Sequence, residues 1–145
     1  MNGSQRKAIL TPFINRWDGV DLYQNGVLGP NPYGAQCVNV ANEWAQLLRI
    51  EPFRGNAGSF FQDSHPNCDW IANTPTNCPH RGDIVEFEAT PDGYIGVNGH
   101  VSVCIWGALD QFQSLDQNFP DGTPVHKQIH TYEGVAGWLR PKVLI

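Results

Sequence analysis

Three kinds of side chain in this sequence could together perform acyl transfer: a cysteine, Cys37, a histidine, His100, and two candidates for an orienting group, Asp116 and Asn118. A thiolate attacks a carbonyl, an imidazole moves the proton, and a carboxylate or amide bonded to the imidazole fixes its tautomer. The chemistry exists only if the elements that carry these residues converge.

Cys37 follows the loop Tyr33-Gly34-Ala35 and opens a segment in which Val38, Ala41, Trp44 or Ala45, and Leu48 recur at helical spacing. Asn39, Asn42, Glu43, Gln46 and Arg49 fill the other side, so the spacing predicts a helix over about 36–49 with Cys37 in its first turn. The unpaired amides and positive dipole end of a helix start favour a thiolate over a thiol. A cysteine on a helix can equally pack as a small hydrophobe, which makes the histidine and the acid decisive.

His100 opens a predicted strand running to Trp106, with Val101, Val103 and Ile105 on one face and His100, Ser102, Cys104 and Trp106 on the other. After the turn Gly107 to Asp110, residues 111–119 form another strand on which Phe112, Ser114, Asp116 and Asn118 share a face. A turn centred on Ala108 sets His100 opposite Asp116, and one centred on Leu109 sets it opposite Asn118. Both registers require a loop of odd length. Either way His100 acquires a polar neighbour that can orient it.

The remaining elements must support these two. Residues 4–17 suit a short helix capped near Ser4 and disturbed at Pro12, with aromatics covering the core. Residues 18–33 read as a long Gly-, Asn- and Pro-rich loop, placed either to line a groove or to carry no role. Residues 50–81 read as an irregular connection pinned by aromatics, and 84–89 as a strand with Val85, Phe87 and Ala89 on one face and Glu86 and Glu88 on the other. Gly137 to Ile145 form a final strand. His126 and His130 read as surface residues of a strand or loop, without an arranged partner.

His65, Cys68, Cys78 and His80 form a second constellation that could hold zinc, although a Cys-Pro-His spacing is tighter than usual finger spacings. A Cys68–Cys78 disulfide, worth roughly 2 to 3 kcal/mol in the chain-entropy model, or free thiols explain the same residues and rank ahead of zinc.

Composition bounds the class. A chain with 41% hydrophobic residues fits one compact domain over 1–145, and 11 prolines with 15 glycines argue for an α+β protein of short strands over a helical bundle. A net charge of -5 without a basic run excludes a nucleic-acid footprint. Neither a signal-peptide core nor a membrane-spanning stretch is present, so a soluble chain without membrane insertion is expected.

The motifs Gly34-Ala35-Gln36-Cys37-Val38, Pro79-His80-Arg81-Gly82-Asp83-Ile84-Val85, Gly99-His100-Val101-Ser102-Val103, Ser114-Leu115-Asp116-Gln117-Asn118 and Gly137-Trp138-Leu139-Arg140-Pro141 together resemble the CHAP domain, a cysteine, histidine-dependent amidohydrolase/peptidase. The resemblance covers nearly the whole chain in order. It implies a papain-like α+β fold, with the nucleophile at a helix N-terminus packed on an antiparallel sheet. It also implies a monomeric enzyme without cofactor that cuts bacterial peptidoglycan as an amidase or endopeptidase. Many such domains belong to bacteriophage lysins, made in the host cytoplasm and acting at the wall after release, or form one domain of a larger lysin. Residue by residue, Cys37 matches the nucleophile, His100 the base, Asp116 the acidic member and Asn118 its polar companion. Gln36 with the Cys37 amide matches the oxyanion donors. Where some members carry calcium ligands, this chain reads Val27-Leu28-Gly29-Pro30-Asn31-Pro32-Tyr33, with Asn39 after the nucleophile. No calcium is therefore expected in that loop, and Asp18 and Asp21 are the only residual candidates. A module of the same fold that binds wall or builds a virion without turnover is the alternative reading.

Overall fold

A computed structural model describes residues 3–23, 36–54, 57, 65–89, 95 and 98–144. The loop motifs at 25–35 and 90–94 lie outside those residues, as do Phe60 and Phe61. Among the described residues, two helices, α1 (Gly3–Trp17) and α2 (Cys37–Leu48), precede six strands. These are β1 (Cys68–Ala72), β2 (Ile84–Phe87), β3 (His100–Gly107), β4 (Phe112–Asp116), β5 (His126–His130) and β6 (Val135–Pro141), followed by a 3-10 turn, Lys142–Leu144. The strands form one antiparallel sheet in the order β1-β6-β2-β3-β4-β5. The fold is α+β, with the cysteine at a helix N-terminus packed on the sheet, as expected.

Alternation along the strands divides the apolar residues between two faces. Ile84, Val101, Val103, Leu115 and Leu139 meet Leu10, Phe13 and Ile14 of α1 and Val40, Ala41, Trp44, Ala45 and Leu48 of α2. Val85, Phe87, Cys104, Phe112 and Trp138 form a smaller cluster on the opposite face. The stripe read from the sequence of α2 is therefore its core face, and α2 packs on β3. Trp44 is locked there by its indole N–H, which donates to the Gly82 carbonyl at 2.9 Å. Below it, Arg140 forks onto the buried Asp83 carboxylate at 2.7 to 3.2 Å and ties β6 to the start of β2.

Four expectations need correction. The helix α1 runs through Pro12 without interruption. The Cys68–Ala72 stretch, read as irregular, is an edge strand paired to β6; its burial does not alternate, so no period exposes it. Glu86 is not on a solvated face, because the sheet is covered on both sides and Glu86 is fully buried. The β3–β4 loop is not of odd length. Ala108 donates to the Gln111 carbonyl at 2.9 Å around the two residues Leu109 and Asp110, and Gly107 pairs with Phe112. A bulge between Cys104 and Trp106 then shifts the register by one, so that Cys104 pairs with Ser114 and Val103 with Leu115.

Candidate active site

The register set by that bulge, continued outward, points His100 at position 118, yet His100 bonds its diagonal neighbour. Its Nε2 lies 2.6 Å from Asp116 Oδ2, with both side chains buried. Asn118 does not reach His100. It adopts a left-handed backbone, φ 59°, which breaks the strand alternation; its amide donates to Gln36 Oε1 at 3.0 Å and its oxygen accepts the Gly122 N–H at 2.6 Å. The Cys37 side chain also bonds the His100 imidazole and favours its charged form. Cys37 is the first residue of α2 and half-buried.

The end of β4 thus joins the imidazole to the cysteine's helix through three consecutive residues. Asp116 holds His100. Gln117, fully buried, donates to the Gln36 carbonyl at 2.8 Å and to the Leu22 carbonyl at 2.9 Å, while its oxygen accepts the Leu22 N–H at 2.7 Å. Asn118 holds the Gln36 side chain. Gln36 is the N-cap of α2, so its carbonyl and its amide are both pinned from β4 immediately before Cys37.

Asp116 carries more than His100. Its Oδ2 also lies 2.8 Å from His130 Nε2, and its Oδ1 accepts the Ser114 hydroxyl at 2.5 Å. Burial alone would raise this carboxyl, but the hydrogen bonds and charges of His100 and His130 overcome that and hold it well below the usual carboxylate range. For His100, burial opposes the proton. The hydrogen bonds to Asp116 and Cys37 and their negative charges outweigh it and push the imidazole up to about 9. His100 is therefore an imidazolium at neutral pH, stacked on Phe119 with ring centroids 4.5 Å apart and tilted over Phe87 at 5.1 Å.

Glu86 stands on the helix side of β2, opposite Val101 and Gly137. Neither carboxyl oxygen has a hydrogen-bond partner among the described residues. Burial, and after it the charge of Cys37, raises this carboxyl well above its ordinary value and so favours its neutral form.

His130 corrects the sequence reading directly, since it is buried and bonded to the acid. Its strand pattern contained a signal: within β5, His126, Gln128 and His130 alternate with the exposed Lys127 and Ile129. Gln117 lies inside a quoted motif yet faces neither period, and Glu86 had no signal beyond being a carboxylate in an apolar strand.

The zinc set is not assembled. His65 uses both ring nitrogens locally, at 2.8 Å from the Glu51 carbonyl and 3.1 Å from the Asn67 N–H. All four cysteines are free, and burial pushes the Cys68 thiol up to about 12. Asp18 faces Lys127 at 3.8 Å. Among the described residues, the one cluster with metal-ligand composition is His100, Asp116 and His130, whose ligand atoms lie within 4.8 Å of one another. Two ligands sharing one tetrahedral zinc stand roughly 3.3 Å apart, given bonds of about 2.0 Å. The 2.6 and 2.8 Å separations here are hydrogen bonds.

No family model matches the sequence. Solved structures do match. The endolysin LysIME-EF1 superposes with a TM-score of 0.73 at 24% identity, over 94% of this chain and 64% of that one. The fold is endolysin-like. Ly7917 matches with a TM-score of 0.64 at 15% identity, over 94% of this chain and 62% of that one. A second Ly7917 structure, with the hydrolyzing product of MDP, matches at 0.58 and 14% identity, over 74% of this chain and 54% of that one. The chain thus spans less than two thirds of the length of each of these proteins.

Proposed function

We propose that this chain is a cysteine hydrolase of bacterial peptidoglycan, a single CHAP-like catalytic domain that cleaves an amide or peptide bond. The observation that carries the reading is Cys37 at the start of α2, hydrogen-bonded to an imidazole that is itself buried against the Asp116 carboxylate. The endolysin-like fold supports the substrate class, as does the presence of a hydrolysed MDP product, a peptidoglycan fragment, in a Ly7917 structure. No described helix is long and apolar enough to cross a membrane.

In this reading the Cys37 thiolate, paired with the His100 imidazolium, attacks the carbonyl carbon. The oxyanion that forms is met by the Cys37 backbone N–H at the helix start and by the Gln36 side-chain amide, whose Oε1 accepts from Asn118. His100 gives its proton to the leaving amine, the C–N bond breaks, and a thioester remains on Cys37. Water then attacks the thioester with His100 as base, releasing the acid and restoring the thiolate–imidazolium pair. Asp116 keeps the imidazole oriented and its positive charge compensated throughout.

Purified peptidoglycan treated with the protein and analysed by mass spectrometry tests this. The wild type should release fragments with new amine termini, and Cys37→Ala should release none. A terminal alanine freed from muramic acid identifies an amidase, and a stem or cross-bridge terminus an endopeptidase. Equal release by Cys37→Ala would exclude the mechanism, and no release by the folded wild type would favour a non-catalytic wall-binding module.

A further inference from the structure

We infer that His130 is a positioning residue of this site, a second imidazole that clamps the Asp116 carboxylate so that it presents Oδ2 to His100; the inference rests on the cysteine-hydrolase reading. Three observations carry it. His130 Nε2 and His100 Nε2 share one oxygen of Asp116, at 2.8 and 2.6 Å, and the ionised carboxylate only accepts, so His130 Nε2 carries a proton and donates it.

The bond is also not a by-product of strand pairing. The Cα partner of Asp116 across the β4–β5 ladder is His126, whereas His130 pairs with Phe112. His126 turns instead to the Pro124 carbonyl at 2.8 Å and to Gln128 at 3.0 Å. The histidine placed directly opposite the acid is not used, and the one four residues along is.

The surroundings of His130 would suit an apolar side chain better. Its ring lies against Phe87, Phe112 and Phe119 at centroid separations of 5.0, 5.2 and 5.9 Å. Its Nδ1 is buried with no hydrogen-bond partner among the described residues. A buried unpaired nitrogen costs stability, so packing alone does not explain an imidazole in an aromatic cage. The bond to Asp116 does. With Ser114 on Oδ1 and His130 on Oδ2, the carboxylate is held from two sides and cannot swing away when His100 passes its proton to the leaving group.

Two variants separate positioning from packing. His130→Leu fills the cage without a donor, and His130→Gln keeps an N–H of similar reach. On purified peptidoglycan, His130→Leu should lower kcat by about tenfold to a hundredfold with KM within about twofold, the scale expected for a misplaced catalytic group. Its acid limb of kcat/KM should move to higher pH, because Asp116 loses a bond that favours its ionised form. His130→Gln should recover kcat to within about threefold and return the limb. A folded His130→Leu with wild-type kcat and pH profile overturns the inference, as does a loss that His130→Gln fails to recover. If His130→Leu does not fold, nitrogen NMR of the wild type decides: a protonated His130 Nε2 whose resonance shifts in Asp116→Asn supports the clamp, and an unprotonated Nε2 overturns it. If hydrolysis persists in Cys37→Ala, the cysteine reading has failed while the NMR result still stands for the His130–Asp116 bond.

Discussion

Replacing Asp116 by Asn keeps its shape and removes its charge, and the consequences can be worked from the bonds it makes. Oδ2 accepts from His100 at 2.6 Å and from His130 at 2.8 Å, and Oδ1 accepts from Ser114 at 2.5 Å. Charge-assisted bonds exceed neutral ones by about 1 kcal/mol each, so the bonds to His130 and Ser114 together lose about 2 kcal/mol. The larger effect is on His100, held at about 9 against an ordinary value of 6.5. Returning it to that ordinary value gives up about 3 kcal/mol of imidazolium stabilisation, with Cys37 left as the group that opposes burial. At pH 8 an imidazole of ordinary basicity is only about 3% protonated, so an activity that needs the imidazolium should fall by about thirtyfold or more. The assay is the initial rate of release from purified peptidoglycan between pH 5 and 10, with iodoacetamide alkylation of Cys37 measured alongside. The alkaline limb should lie near 9 in the wild type and fall toward about 6.5 in Asp116→Asn. A folded variant whose limb stays near 9, with less than a threefold loss at pH 8, would refute the reasoning.

Glu86→Gln should change how stability depends on pH. A carboxyl whose folded value is raised contributes fully below its unfolded value, and that contribution is lost as pH rises toward the folded one. The wild type should therefore fall relative to Glu86→Gln by up to about 1.4 kcal/mol per pH unit above roughly pH 5, as read by urea denaturation; parallel curves would contradict this. The signs for the His100–Asp116 pair also follow: Asp116, depressed, stabilises above about pH 4 and is lost toward acid, whereas His100, raised, stabilises below about pH 6.5 and is lost as pH passes about 9. Asn118→Gly keeps the left-handed backbone comfortable while releasing Gln36, so kcat should fall about fivefold, the worth of one hydrogen bond. Cys37 alkylation should be unchanged, and a faster or slower thiol would show that Asn118 acts on Cys37 instead. Gly137→Ala would put a Cβ 2.2 Å from the Ile71 carbonyl oxygen, so β1 and β6 must separate. Calorimetry should show a Tm lower by about 4 to 8 °C, for a cost of about 2 kcal/mol.

The parts of the site that follow a period were legible in the sequence. The helical stripe from Val38 to Leu48 placed Cys37 at a helix start, and the alternation on either side of the Gly107 turn put His100 and Asp116 on one face. What hid the rest was local departure from those periods. The bulge between Cys104 and Trp106 changes the register by one residue without altering composition, so no count from the turn could choose between Asp116 and Asn118. The positive φ of Asn118 then turned it toward Gln36. His130 sits on an edge strand whose other residues are half-buried or exposed, so only its alternation with Lys127 and Ile129 hinted at a buried role. Glu86 resembled an outward charge because Val85 and Phe87 marked the other face as apolar, while the layer that covers Glu86 comes from helices far from β2 in sequence. The cysteines and histidines at 65–80 offered ligand types without ligand geometry.

The central claim, that Cys37 is acylated by the wall peptide during turnover, can be met head-on by acid-quenching the protein during hydrolysis of purified peptidoglycan and measuring its intact mass. The account predicts a transient thioester adduct of fragment mass that maps to the Cys37 peptide, is discharged by hydroxylamine and is absent in Cys37→Ala. Rapid hydrolysis with no adduct, undiminished in Cys37→Ala, would contradict it.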